Sequence, residues 1–117
     1  MGASFEDLEV WKKSCRLAVD VYKALVSCRD YSLKDQMCRS AISVPSNIAE
    51  GRERNSKAEF VRFLNISKGS AGELRTQFYI ASELNVIEKS ISSELINRTK
   101  ELSQMLQGLI KSIQRKV

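Results

Sequence analysis

The chain has 117 residues, enough for one compact domain with a single core and too few for two. Apolar residues make up 43% of it, against five glycines and one proline; this excludes disorder and an all-β fold built on many tight turns, and predicts long helices. Nineteen Lys and Arg against fourteen Asp and Glu leave a net charge of +5, which suits an anionic partner, and the absence of histidine excludes Ser-His-Asp and Cys-His catalysis and most zinc sites.

From Phe5 to Cys28, the residues Leu8, Trp11, Cys15, Ala18, Tyr22 and Leu25 recur at steps of three and four and predict a first helix with that stripe in the core. Val10, Leu17 and Val21 form a second stripe beside it, so this helix is expected to bury more than one side, against a second helix or another subunit. The pattern breaks at 28–32, where Ser32 followed by Asp35 and Gln36 predicts a helix start capped by the serine oxygen. The second helix runs through Leu33, Met37, Ala41, Val44 and Ile48 and contains the sole proline, Pro45. A strand-to-loop turn would also place a proline here; because the apolar stripe stays in register to Ile48, the sequence predicts a kinked helix, at ~3 kcal/mol unless neighbours compensate. Ser56 and Glu59 have the spacing of a capping box, expected to satisfy two amides at the start of a third helix. That helix has the most regular seam, Phe60, Leu64, Ser67, Ala71, Leu74, Phe78 and Ala81. A fourth helix carries Ile91, Leu95, Leu102, Leu106, Leu109 and Ile113 and ends in a basic tail of Lys111, Arg115 and Lys116. The expected architecture is an all-α, antiparallel up-and-down four-helix bundle, one domain over residues 1–117.

A polar stripe runs beside the apolar one in the second helix: Gln36, Ser40, Ser43, Asn47, Glu50 and Arg54. Ser70, Glu73 and Gln77 make a polar stripe in the third helix, where Gly69 and Gly72 each cost ~1 kcal/mol relative to alanine and are expected to admit another backbone closely. Gln36, Ser43, Asn47, Glu50, Ser70 and Glu73 are therefore expected to form a structural polar network, with Asn47 and Glu50 bonding across to the third helix and Gly51 permitting close approach. The enzymatic alternative makes Glu50 and Glu73 an acid and base in a cleft; neither has an evident partner base, metal ligand or nucleophile, and no enzyme, cofactor or metal site is expected. Cys15, Cys28 and Cys38 form no CxxC pair, and the start of the chain does not read as a secretory signal, so a cytoplasmic location is expected.

Together, "FEDLEVWKKS", "QMCRSAISVPSNIAEGRERNS" and "EFVRFLNISKGSAGELRTQ" resemble the four-helix-bundle family of 23S ribosomal RNA intervening-sequence proteins over nearly the whole chain. The most specific part is the SxPxNIAEG-like core from Ser43 to Gly51, with Gln36 and Arg39 upstream and Gly69, Ser70, Glu73 and Leu74 downstream. The chain departs from the family where Met37 and Cys38 precede a single Arg39, and where Ser67 and Lys68 replace a more apolar pair. The family in turn resembles the accessory variability proteins of diversity-generating retroelements, basic bundles that form ring-like homopentamers and associate with a reverse transcriptase and nucleic acid. The resemblance thus implies a ring-like homo-oligomer, a pentamer, for this chain.

Lys12, Arg16 and Lys23 share one side of the first helix, Lys68 and Arg75 one side of the third, and Arg52, Arg54, Lys57 and Arg62 cluster between the second and third. Arg39, Arg52, Arg54, Lys57, Lys68 and Arg75 are the expected nucleic-acid contacts, driven by charge and shape because Trp11, Phe60 and Phe78 lie on core stripes. The expected function is a non-enzymatic homo-oligomeric adaptor for structured RNA or DNA. The alternative is a protein scaffold that docks a partner such as a reverse transcriptase, with little direct nucleic-acid binding.

Overall fold

The structure, a computed structural model, describes residues 4–115. A short 3-10 turn, Phe5–Asp7, leads into α1 (Glu9–Ala24), α2 (Tyr31–Glu53), α3 (Lys57–Glu83) and α4 (Lys89–Arg115). Among the described residues the secondary structure is entirely helical, and the molecule is a slender bundle of 47 × 19 × 19 Å. No described helix is long and apolar enough to cross a membrane.

The first helix differs from expectation at both ends. The Asp7 carboxylate accepts from the Ser4 backbone N–H (3.3 Å), and Leu8 is extended, so the chain turns once before α1 begins. The core face of α1 is Val10, Ser14, Leu17, Ala18, Val21 and Leu25, not the stripe led by Trp11 and Tyr22. Ala18 and Leu25 belong to both sets, but Trp11 and Cys15 are half-buried and Tyr22 is 44% exposed. The large aromatics sit at the border of a wide apolar arc, and the smaller Val10, Leu17 and Val21 fit against the neighbouring helices.

Asp30, rather than Ser32, caps α2: its carboxylate accepts from the Leu33 N–H at 3.1 Å. The helix then continues unbroken through Pro45, which is buried. Here α3 is tied to the backbone directly, because the buried Ser67 hydroxyl donates to the carbonyl of Val44 at 2.8 Å. At Gly51 a Cβ would lie 2.6 Å from the Cβ of Phe63, so the expected close approach is realised. Gly69 and Gly72 differ: a Cβ on either meets nothing within 4 Å, and no described backbone approaches them.

Half of the expected capping box forms at α3, where the Ser56 hydroxyl accepts from the Glu59 N–H at 3.2 Å. The Glu59 carboxylate turns to Arg62 instead, and the Ser56 N–H donates to the Arg54 carbonyl. All seven seam residues of α3 are buried. The helix ends with Asn85 in the left-handed region (φ 57°) and with the Val86 N–H donating to the Ala81 carbonyl, the 6→1 bond of a Schellman motif. In α4 the core is Leu95, Ile96, Leu102, Leu106 and Ile110, while Ile91 is 45% exposed. Lys111 and Arg115 lie in the last turns of α4; Lys116 is outside the described residues.

Candidate nucleic-acid interface

The six expected contact residues occupy three separate places. Arg52, Arg54 and Lys57 come together at the α2–α3 turn, at one end of the bundle. Arg54 is strongly engaged there: its guanidinium donates to Glu50 (2.9 Å), lies 3.8 Å from Glu59 and stacks over the Phe63 ring at 5.0 Å. The hydrogen bond it donates to the Glu50 carboxylate also holds its pKa above the ordinary arginine value. Arg62 covers the same ring at 4.5 Å, and Arg52 lies 5.9 Å from the centre of Phe60. These side chains brace the turn. Lys68 is half-buried between α3 and α4, donating to Gln107, and Arg75 lies two turns further along the same flank. Arg39 lies apart from both groups, on the outer side of α2.

The polar network also splits. Ser43 and Ser70 share a hydrogen bond of 2.8 Å across the α2–α3 seam, and Asn47 donates to the Ser43 carbonyl and hydroxyl at 2.8 and 2.9 Å. Asn47 therefore stays on its own helix, and Glu50 turns outward to Arg54. The cross-helix bonds expected of these two residues are made instead by Ser43 and Ser67, whose short side chains reach the neighbouring helix without leaving the seam. Gln36 and Glu73 are exposed. With Ser43 opposite Ser70, Glu73 lies one turn to one side and Glu50 two turns to the other, about 15 Å apart by helical rise. They do not form an acid–base pair.

A group of cations without ion-pair partners among the described residues lies on α1. Lys12, Arg16 and Lys23 are exposed along the outer face of α1, and none forms an ion pair with a described residue. The acidic side chain in their midst, Asp20, is taken by Arg98 at 2.8 Å, while Lys13 is taken by Glu101 at 3.1 Å. A separate open groove of about 490 Å³ between α1 and α2 is lined by Lys34 and Arg39 together with the Asp35 carboxylate, beside Tyr22, Cys38 and Ile42. Burial raises the pKa of Cys38 and of Cys15, and burial followed by the neighbouring Cys38 raises that of Tyr22, so at neutral pH this groove gains no negative charge from its thiols or phenol.

Such a surface meets phosphates through cations while its apolar residues offer contact area. Trp11 is half-buried against Phe5, with ring centroids 5.2 Å apart, and Phe60 and Phe78 are in the core; a stacking platform for single strands is not built from them. Among the described residues no cluster of three or more acidic or sulfur side chains has the geometry to hold a metal ion.

The model of the 23S rRNA-intervening sequence protein family matches residues 6–108. Among solved structures, the chain is similar to a protein with unknown function from the S23 ribosomal protein family of Bacteroides thetaiotaomicron VPI-5482. The two share 28% sequence identity and superpose with a TM-score of 0.82, over 87% of this chain and 98% of that one. No curated protein matches the chain. Nothing in these comparisons points to catalysis. The matched segment contains all of α1, α2 and α3 and most of α4, and on that extent the chain belongs to the 23S rRNA-intervening sequence protein family.

Proposed function

We propose that this protein is a non-enzymatic adaptor that assembles as a ring-like homo-oligomer, a pentamer by its resemblance, and binds structured RNA or DNA through basic surfaces. The observation that carries the reading is the set of cations on α1, Lys12, Arg16 and Lys23, exposed and without carboxylate partners. They span about 17 Å of helix, the length of some five base pairs of duplex. Repetition of this face around a ring would give a polyanion several equivalent contacts.

The test is fluorescence anisotropy of a labelled RNA stem-loop, and of a DNA duplex of matched length, at low and near-physiological salt. Binding that weakens steeply with salt supports the adaptor; no binding even at low salt refutes it. A second reading, a scaffold that docks a protein such as a reverse transcriptase, has its own support. Val26 and Tyr31, at the α1–α2 turn, are 75% and 68% exposed, and Tyr79, Ile80, Leu84 and Ile91, around the α3–α4 turn, are 45–58% exposed. Both turns lie at the same end of an antiparallel bundle, which suits protein contact.

A further inference from the structure

The groove between α2 and α3 holds polar groups that the fold leaves unused. It encloses about 290 Å³ and is lined by Gln36, Arg39, Ser40, Ser43, Glu73 and Gln77. Glu73 and Gln77 stand one turn apart on the α3 wall, and Gln77 Oε1 is buried without a hydrogen-bond partner. Glu73 forms no ion pair with a described residue, although Arg39 lines the opposite wall. Ser43, though it lines the groove, is already bonded to Ser70 and Asn47, so the free capacity lies in Glu73 and Arg39.

That capacity is asymmetric. The α3 wall offers the Glu73 carboxylate as its acceptor, the Gln77 oxygen being buried behind it; the α2 wall supplies the Arg39 cation and the Ser40 hydroxyl. A guanidinium ligand would suit the first wall and be repelled by Arg39. A free amino acid would suit both charges but bring its donors to a single point. Guanine presents two adjacent donors, N1–H and N2–H, on its Watson–Crick edge, which a carboxylate can accept as a pair; adenine, cytosine and uracil each present a single donor group there. Its phosphate would supply the anion for Arg39.

We infer that this groove binds an unpaired guanine nucleotide, with the Glu73 carboxylate accepting from N1–H and N2–H of the base and Arg39 meeting the phosphate. The inference rests on the nucleic-acid reading above and adds a base-selective site to a surface otherwise driven by charge. The test is an NMR titration of the full-length protein with guanosine, inosine, adenosine, cytidine and uridine 5′-monophosphates at fixed ionic strength. GMP is expected to bind most tightly and to shift resonances of α2 and α3 at the groove; IMP, which lacks the 2-amino group, is expected to bind about tenfold more weakly. Glu73→Gln, an exposed near-isosteric change, should weaken GMP about tenfold and erase the GMP–IMP difference, while Arg39→Gln should weaken GMP but not guanosine. Equal binding of all five nucleotides, no binding, or displacement of GMP by glycine or free arginine overturns the inference. A stem-loop that binds equally with or without an unpaired G overturns the groove assignment and leaves the adaptor standing. GMP selectivity without any stem-loop binding supports the groove and refutes the adaptor.

Discussion

Gly51 is buried where α2 passes the first turn of α3, and the methyl of an alanine there would collide with Phe63 Cβ. That atom is fixed to its own backbone and cannot swing aside. Gly51→Ala is therefore expected to destabilise the protein by about 1–3 kcal/mol, read as a lower urea midpoint with an unchanged slope. Ser67→Ala removes the buried hydroxyl that reaches the Val44 carbonyl and should cost about 1 kcal/mol in the same measurement. The thiols of Cys15 and Cys38 have pKa values raised by burial, which makes their effect on stability one-sided. The folded state holds these protons more tightly than the unfolded state, so stability from this source is complete below the ordinary thiol pKa and is lost as pH rises through the folded values. Double replacement of Cys15 and Cys38 by serine should flatten the fall in urea midpoint above about pH 8.5; an identical fall in the variant would refute the attribution.

At the scale of elements, α3 was legible because its buried positions keep one seam, and its serine cap is local in sequence. The α1 face was harder to read, since two apolar stripes lie side by side and only packing decides which one points inward. The polar residues of α2 announced a seam, but not that Glu50 would find Arg54 four residues along its own helix before anything on α3. The α1 cations Lys12, Arg16 and Lys23 were legible from helical spacing, whereas the place of Lys34 beside Arg39 and Tyr22 in one groove depends on how α1 and α2 pack. The end of α3 depends on Asn85 taking a conformation that glycine adopts freely. Asn85→Gly is thus expected to leave stability unchanged or slightly raised, whereas the β-branched Asn85→Val should cost about 1–2 kcal/mol in thermal or urea unfolding.

For the whole molecule, the arrangement of charge matters more than its sum. The arginines at the α2–α3 turn are engaged with Glu50, Glu59 and two phenylalanine rings, while Lys12, Arg16 and Lys23 on α1 face solvent without ion-pair partners among the described residues. Replacing Lys12, Arg16 and Lys23 together by glutamine is expected to weaken RNA binding and reduce the salt slope by about 2 to 3, with the circular dichroism spectrum preserved. Arg54→Gln should instead lower the unfolding midpoint and change the salt slope little.

Gly69 and Gly72 have room for a methyl, and helical alanine is more stable than helical glycine by about 1 kcal/mol. Each Gly→Ala change should therefore strengthen the isolated bundle, so the chain forgoes stability at two positions within a single turn of α3. Sedimentation of the doubly substituted protein then separates two meanings of that sacrifice. Unchanged self-association would make the glycines dispensable to assembly; a sturdier protomer that no longer associates would show that cohesion within one copy was given up for contact between copies.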